Sequence, residues 1–252
     1  MTIPRLTLAA FVAVAATPAF AQATLNITGT IRDFNDSHPD FEGAISGLST
    51  GMVGSTLPAN KRPVFVGSPG YGAVTSAATF DEWYRDVPGT NLSAPLTLTL
   101  TETVPGSGIF RFSDNDFFPI DGQLFGNQGR SHNYHFTLAI NVSFTYRPGQ
   151  TFSFTGDDDL WLFIDNKLVV DLGGVHGPVS GSVNLDTLGL TTGQNYAFDL
   201  YFAERHTTLS NFTMETAGIR FEQTPVPEPA TLALAAAGLM AAGRRRFRRH
   251  SR

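Results

Sequence analysis

The chain has 252 residues and not one cysteine. This excludes a disulfide framework, a thiolate metal site and a cysteine nucleophile, and it leaves stability to a hydrophobic core, for which 21 phenylalanines are ample material. The formal net charge is −5, but Arg5 and the six arginines from Arg244 to Arg252 hold seven of the 17 basic groups, so the body between them carries ten basic against 22 acidic residues, or −12. Such a balance argues against nucleic acid or an anionic membrane as partner; it suits a surface that holds cations as well as it suits plain solubility.

Taken in chain order, Met1 to Ala21 places Arg5 before an apolar stretch, Leu8 to Ala16, and ends on the small-x-small pattern Ala19-Phe20-Ala21. That is the order of a cleavable signal peptide, residues 1–21, too short for a stable span and excluded from fold reasoning. Residues 24–223 follow as one domain, or as two closely packed halves. From Gly43 to Gly72 the chain is rich in Gly, Ser and Pro and reads as loops decorating the first half. Leu96 to Leu100 alternates apolar and polar, and Tyr134 to Tyr146 places an apolar residue at every even position, the signature of a long half-buried strand. Between Thr151 and Asp171 the pattern is a strand, an acidic turn, then Leu160 to Ile164 and Leu168 to Val170 as a hairpin joined by Asp165-Asn166-Lys167. Tyr196 to Phe202, and Phe212 onward, read as further strands. No useful helical stripe appears. Short strands between Gly, Pro, Asn and Asp turns predict an all-β antiparallel sandwich or barrel.

Beyond the domain, Val226-Pro227-Glu228-Pro229 precedes fourteen uncharged residues, Ala230 to Gly243, and then Arg244-Arg245-Arg246-Phe247-Arg248-Arg249. The order is that of a stop-transfer signal. A helix over residues 230–243 would be about 21 Å long against a hydrocarbon core of roughly 30 Å, so a transient anchor fits better than a permanent transmembrane helix. Residues 226–250 resemble the PEP-CTERM sorting signal through Pro227, Glu228 and Pro229, the alanine-rich run and the terminal arginines. The resemblance implies passage through the inner membrane, cleavage near Pro227–Pro229 by an exosortase-type membrane protease, and delivery to the cell surface or extracellular matrix of a Gram-negative exopolysaccharide producer. An ordinary single-span anchor is the other reading.

Two blocks of the body are more specific than strand patterning. One holds Thr79-Phe80-Asp81-Glu82-Trp83-Tyr84-Arg85-Asp86, Asp116-Phe117-Phe118-Pro119-Ile120-Asp121-Gly122 and His132-Asn133-Tyr134-His135. The other runs Gly156-Asp157-Asp158-Asp159-Leu160-Trp161-Leu162-Phe163-Ile164-Asp165-Asn166-Lys167 and on to Phe202-Ala203-Glu204-Arg205-His206. Together they resemble the fibro-slime domain over Ile27 to Phe221. The second block, with a glycan-binding core at about 134–221, is also similar to the carbohydrate-binding module of the anthrax protective-antigen type. The resemblance implies a β-sandwich in matrix proteins, adhesins and secreted glycan-handling enzymes, with binding more often than catalysis.

In yeast adhesins of that type two adjacent aspartates joined by a cis peptide hold calcium, which in turn holds sugar hydroxyls. The resemblance puts that pair at Asp157 and Asp158, and calcium as the cofactor. A hard cation takes several carboxylate and carbonyl oxygens at about 2.3 to 2.6 Å, and three successive acids would repel one another without one. Asp159 stands where the wider family has glycine and either adds a ligand or points away; Asn211 is the candidate ligand from a distal loop. Trp161 either offers a stacking face to a sugar ring, beside Asp157 and Asp158 as ligand-binding residues, or packs in the core. Partners implied are extracellular polysaccharide or cell-surface glycans.

Other motifs lead elsewhere or nowhere. Asp114-Asn115-Asp116 fails as a calcium loop because Phe118 stands where an oxygen ligand is required. His132 and His135 are three apart in a strand, on opposite faces, and share no zinc. Glu204, Arg205 and His206 could form an acid-base site, but an ion pair and hydrogen bonds closing a loop around the acidic turn is the better reading. A binding protein rather than an enzyme is therefore expected, with a structural matrix protein lacking any small ligand as the alternative and a secreted glycan-acting hydrolase behind both.

Overall fold

The structure, a computed structural model, describes residues 22–223. The expected signal peptide with its cleavage residues Ala19 and Ala21, the sorting motif Pro227-Glu228-Pro229 and the apolar segment 230–243 lie outside the described residues. Among the described residues no helix is long and apolar enough to cross a membrane.

Eleven strands form one antiparallel sheet that bends into a barrel-like body, as expected. They are β1 (Thr24–Phe34), β2 (Asn91–Glu102), β3 (Ile109–Asp114), β4 (Phe136–Thr145), β5 (Thr151–Asp157), β6 (Asp159–Ile164), β7 (Lys167–Leu172), β8 (Val179–Asn184), β9 (Asn195–Glu204), β10 (Asn211–Ala217) and β11 (Phe221–Gln223). Their order is β7-β6-β9-β4-β1-β2-β3-β10-β5-β8. β11 pairs with β4 at Val142 to Phe144, beyond the stretch Phe136 to Ala139 that β1 occupies. The end strands approach each other where Gly181 of β8 faces β7: a Cβ there would come within 2.7 Å of Val170 and 3.2 Å of Leu172. The β6–β7 hairpin turns through Asp165 and Asn166 at φ of +51° and +61°, the left-handed pair that a two-residue hairpin requires. The only α-helix among the described residues is a single turn, α1 (Ala77–Phe80).

The pleat separates two cores. Even positions of β4, β6 and β9, among them Phe136, Leu138, Ile140, Leu160, Leu162, Leu200 and Phe202, point into the barrel with Phe152, Phe154, Phe212 and Met214. Odd positions Ala139, Trp161, Phe163, Tyr201 and Ala203 point out, into a second core with Phe34, Phe41, Met52, Phe65, Phe80 and Trp83. The segment between β1 and β2 therefore covers the outer face of the second half of the chain, which corrects the expectation that residues 43–72 decorate the first half. The physical sign lay in β6, whose run Leu160 to Ile164 is apolar at every position: a strand wet on one face alternates, and one covered on both does not. At roughly 1.5–3 kcal/mol per large side chain, this second core contributes as a true core does, less the entropy of ordering the segment. Its polar handles are satisfied: the Trp83 indole N–H donates to buried Asp40 at 3.0 Å and that of Trp161 to Asp171 at 3.0 Å.

Asp33 is a carboxylate that lacks a full set of partners. Asp33, fully buried near the end of β1, accepts the Phe125 N–H at 2.7 Å, while its other oxygen has no hydrogen bond. Burial pushes its pKa up to about 6. A carboxyl raised in the folded state gives stability that is present below about pH 4 and lost as pH rises through about 6. In urea titrations the share of stability that Asp33 supplies is expected to fall by up to about 3 kcal/mol over that interval, and Asp33→Asn is expected to flatten the slope by that share; a slope that the substitution leaves unchanged contradicts the assignment.

Candidate functional site

The acidic turn expected from the sequence joins β5 to β6 at the end of the barrel where β9 stops and β10 starts. The Asp157–Asp158 peptide bond is cis, as the resemblance implies. Successive acids here take different environments. Asp157 accepts the N–H of Asn211, its partner across the β5–β10 pair, at 2.6 Å. Asp158 accepts the N–H of His176 at 3.0 Å and of Arg205 at 3.1 Å. Both line a pocket of about 100 Å³ walled by Val175, His176 and Gly177 after β7, by His206, Thr208 and Leu209 after β9, and by Ile45 from the segment between β1 and β2.

Asp159 does not belong to that pocket, which corrects its place among the candidate ligands. It is fully buried and paired with Arg205, Nε to Oδ2 at 2.6 Å, and its other oxygen accepts the Gly174 N–H at 2.5 Å. Strand alternation is the reason, since β6 begins here and turns the Asp159 side chain to the second core. Gly174 can donate because at φ +109° its backbone lies against Gly47, where a side chain would collide with the Gly47 carbonyl. Trp161, two residues on and also at 0% exposure, shares that core and presents no face to a ligand, so core packing is its role.

Arg205 is the hub of the region. Besides Asp159 its guanidinium donates to the carbonyls of Gly72 at 2.7 Å, Ala73 at 3.1 Å and Asp40 at 3.3 Å, and it lies 4.7 Å from the Trp83 ring centroid. The trio Glu204, Arg205 and His206 thus closes a loop around the acidic turn, as expected, and offers no accessible acid-base pair: Glu204 and Arg205 are 1% and 0% exposed. His132 meets Asp121 at 2.6 Å and His135 meets Glu42 at 2.9 Å, so the two histidines have separate partners. Asp114 accepts the Asp116 N–H at 2.9 Å, an ordinary turn.

With the Arg205 side chain committed to Asp159, the pocket carboxylates face little positive charge. Burial pushes Asp157 up and Asp158 up to about 8, the latter aided by Asp159 and opposed by Arg205. Glu204 is pushed well above its usual range by burial and then by Asp158 and Asp157, and its Oε2 is buried without a hydrogen-bond partner. Clustered carboxylates held by backbone N–H groups, short of countercharge, fit a divalent cation. Among the described residues no three His, Asp or Glu side chains converge to hold a metal by themselves. Asp157 and Asp158 would be its protein carboxylates, and the remaining positions would fall to carbonyls, water or the ligand.

The sequence reading missed the pocket walls. Val175 and His176 follow Gly173-Gly174, a pair that signals a tight turn and nothing about its contents. Thr208 sits at φ +152°, rare for a side-chain-bearing residue, and no sequence pattern announces it.

Comparison with known proteins bears on the same region. Protein psiQ and Protein psiC of Dictyostelium discoideum are each 40% identical, over 212 and 214 residues and 78% of this chain; the chain spans 21% and 42% of their respective lengths. The PA14 domain of the MpAFP antifreeze protein covers 85% of this chain and 90% of its own, at 10% identity and a TM-score of 0.34. Residues 130–225, which contain the acidic turn, match the PA14 domain family, and residues 225–249 match the PEP-CTERM protein-sorting motif.

Proposed function

We propose that this is an exported adhesion protein of the cell surface or extracellular matrix that binds exopolysaccharide through a calcium ion held by Asp157 and Asp158. The observation that carries the reading is the pair of carboxylates on a pocket floor, oriented by three backbone N–H groups and lacking a side-chain cation. Calcium, when bound, supplies a hard Lewis-acid centre whose open positions accept sugar hydroxyls. The chain's residues do the rest: Asn211, His176 and Arg205 fix the carboxylates through their N–H groups, and the loops after β7 and β9 wall the space. The PA14 match and the sorting motif that follows it support export and a binding role; membrane transit with exosortase processing near Pro227–Pro229 belongs to the same proposal.

The test is retention of the purified full chain on extracted exopolysaccharide. Retention with calcium and release by a chelator are expected; retention indifferent to the chelator contradicts the calcium step. A second reading, a structural matrix protein without a small ligand, is favoured by the lack of three converging ligands among the described residues. It would show as a folded protein that neither calcium nor polysaccharide affects.

A further inference from the structure

The walls of the acidic pocket are not acidic. Ile45 and Leu209 line it from loops far apart in sequence, and they are 70% and 62% exposed. A single exposed aliphatic residue is ordinary, but two that converge on a cavity floored by carboxylates make a mixed surface, apolar on its sides and polar below. The walls are also tied in place. Glu42 accepts from the Thr207 N–H at 2.9 Å and its hydroxyl at 3.2 Å, which joins the loop of Leu209 to the segment carrying Ile45. The Gly47 N–H donates to the Val175 carbonyl at 2.9 Å and the Val175 N–H to the Ser46 hydroxyl at 2.9 Å, fixing the third wall. Ile45 lies outside the matched PA14 stretch, so the segment between β1 and β2 completes the pocket.

We infer that the pocket selects a sugar residue that carries a methyl group, as a 6-deoxy position or an acetyl substituent, with Ile45 and Leu209 as its specificity-determining residues. The proposal rests on the glycan reading above. Hydroxyls on one edge of the sugar are served by the Asp157–Asp158 floor, and the methyl on the other edge is taken out of water between the two aliphatic side chains. Ile45 and Leu209 line the same small cavity as the two carboxylates, so one sugar residue meets floor and walls together. Transfer of one methyl to an apolar contact is worth roughly fourfold in affinity.

Matched sugars test it: L-fucose against L-galactose and L-rhamnose against L-mannose, which differ only in the 6-hydroxyl, and N-acetylglucosamine against N-formylglucosamine, which differ only in the methyl, for the acetyl source. Each competes for the calcium-loaded full chain on immobilised exopolysaccharide. The methyl-bearing member of a 6-deoxy or acetyl pair is expected to compete about fourfold better, the winning pair naming the source. Ile45→Ser/Leu209→Ser is expected to bring that ratio to one while calcium binding, followed by calorimetry, stays unchanged. A ratio of one in every pair, or a preference that survives the double substitution, overturns the proposal and leaves the glycan reading standing. Failure of the wild type to be retained by the polysaccharide, or of any sugar to compete, removes the glycan reading and this one with it.

Discussion

Arg205→Met is expected to lower the unfolding free energy by about 4 kcal/mol, the largest effect of any single side chain in the account. The substitution is close in volume, so its cost is electrostatic. Asp159 would remain fully buried with one hydrogen bond, from Gly174, and no countercharge, and the carbonyls of Gly72, Ala73 and Asp40 would lose their donor. Breaking a buried pair by removing one member costs about 3–5 kcal/mol, far more than the pair gains over an apolar replacement. Asp159→Asn is expected to cost a similar amount, and the double variant Asp159→Asn/Arg205→Met less than the two singles together, because the uncompensated charge is then gone. Arg205→Lys keeps the charge but not the planar fork that reaches several acceptors at once, and about half the loss is expected. Urea titration of the four variants measures all of this; additive singles would contradict a shared ion pair.

The second large effect is on binding. Asp157→Asn/Asp158→Asn is expected to reduce calcium affinity at least about a hundredfold, since it removes both protein carboxylates from the pocket floor. Stability without calcium should hardly fall. Asparagine keeps an acceptor oxygen for the Asn211 N–H at position 157 and for the His176 or Arg205 N–H at position 158. It also removes the two acids whose charges add to the burial that holds Glu204 well above its usual range. The wild type should gain thermal stability on calcium addition and the variant should not. A variant that loses its fold, or that responds to calcium as the wild type does, speaks against the pocket floor as the site.

Strand alternation made most of the barrel readable in advance. Tyr134 to Tyr146 displayed β4 directly, because its two faces meet different surroundings at one end of the strand; the Asp165-Asn166 turn announced the β6–β7 hairpin by its residue types. β1, β3 and β8 give weaker signals, since Gly29 and Gly181 interrupt β1 and β8, β3 spans only six residues, and all three are settled by neighbours distant in sequence. The pair Asp157 and Asp158 came from resemblance, and geometry then divided the acids: Asp159 went to Arg205 because a strand begins beneath it. What stayed hidden depends on long-range packing. Trp161 looked as able to stack on a sugar as to sit in a core, and only the segment from Phe34 to Trp83, folded over β6 and β9, decides for the core. Ile45 lies in a stretch without pattern, and its place beside Leu209 follows from hydrogen bonds that cross more than a hundred residues.

The central claim is that Asp157 and Asp158 hold a calcium ion which an exopolysaccharide then shares. Isothermal calorimetry of calcium binding to the purified full chain tests it most directly, with the Asp157→Asn/Asp158→Asn variant alongside and a repeat in the presence of extracted exopolysaccharide. The account predicts calcium binding at micromolar to millimolar concentrations, lost in the variant and tightened by the polysaccharide through linkage. A folded wild type that takes up no calcium, or binds it equally in the variant, would contradict it.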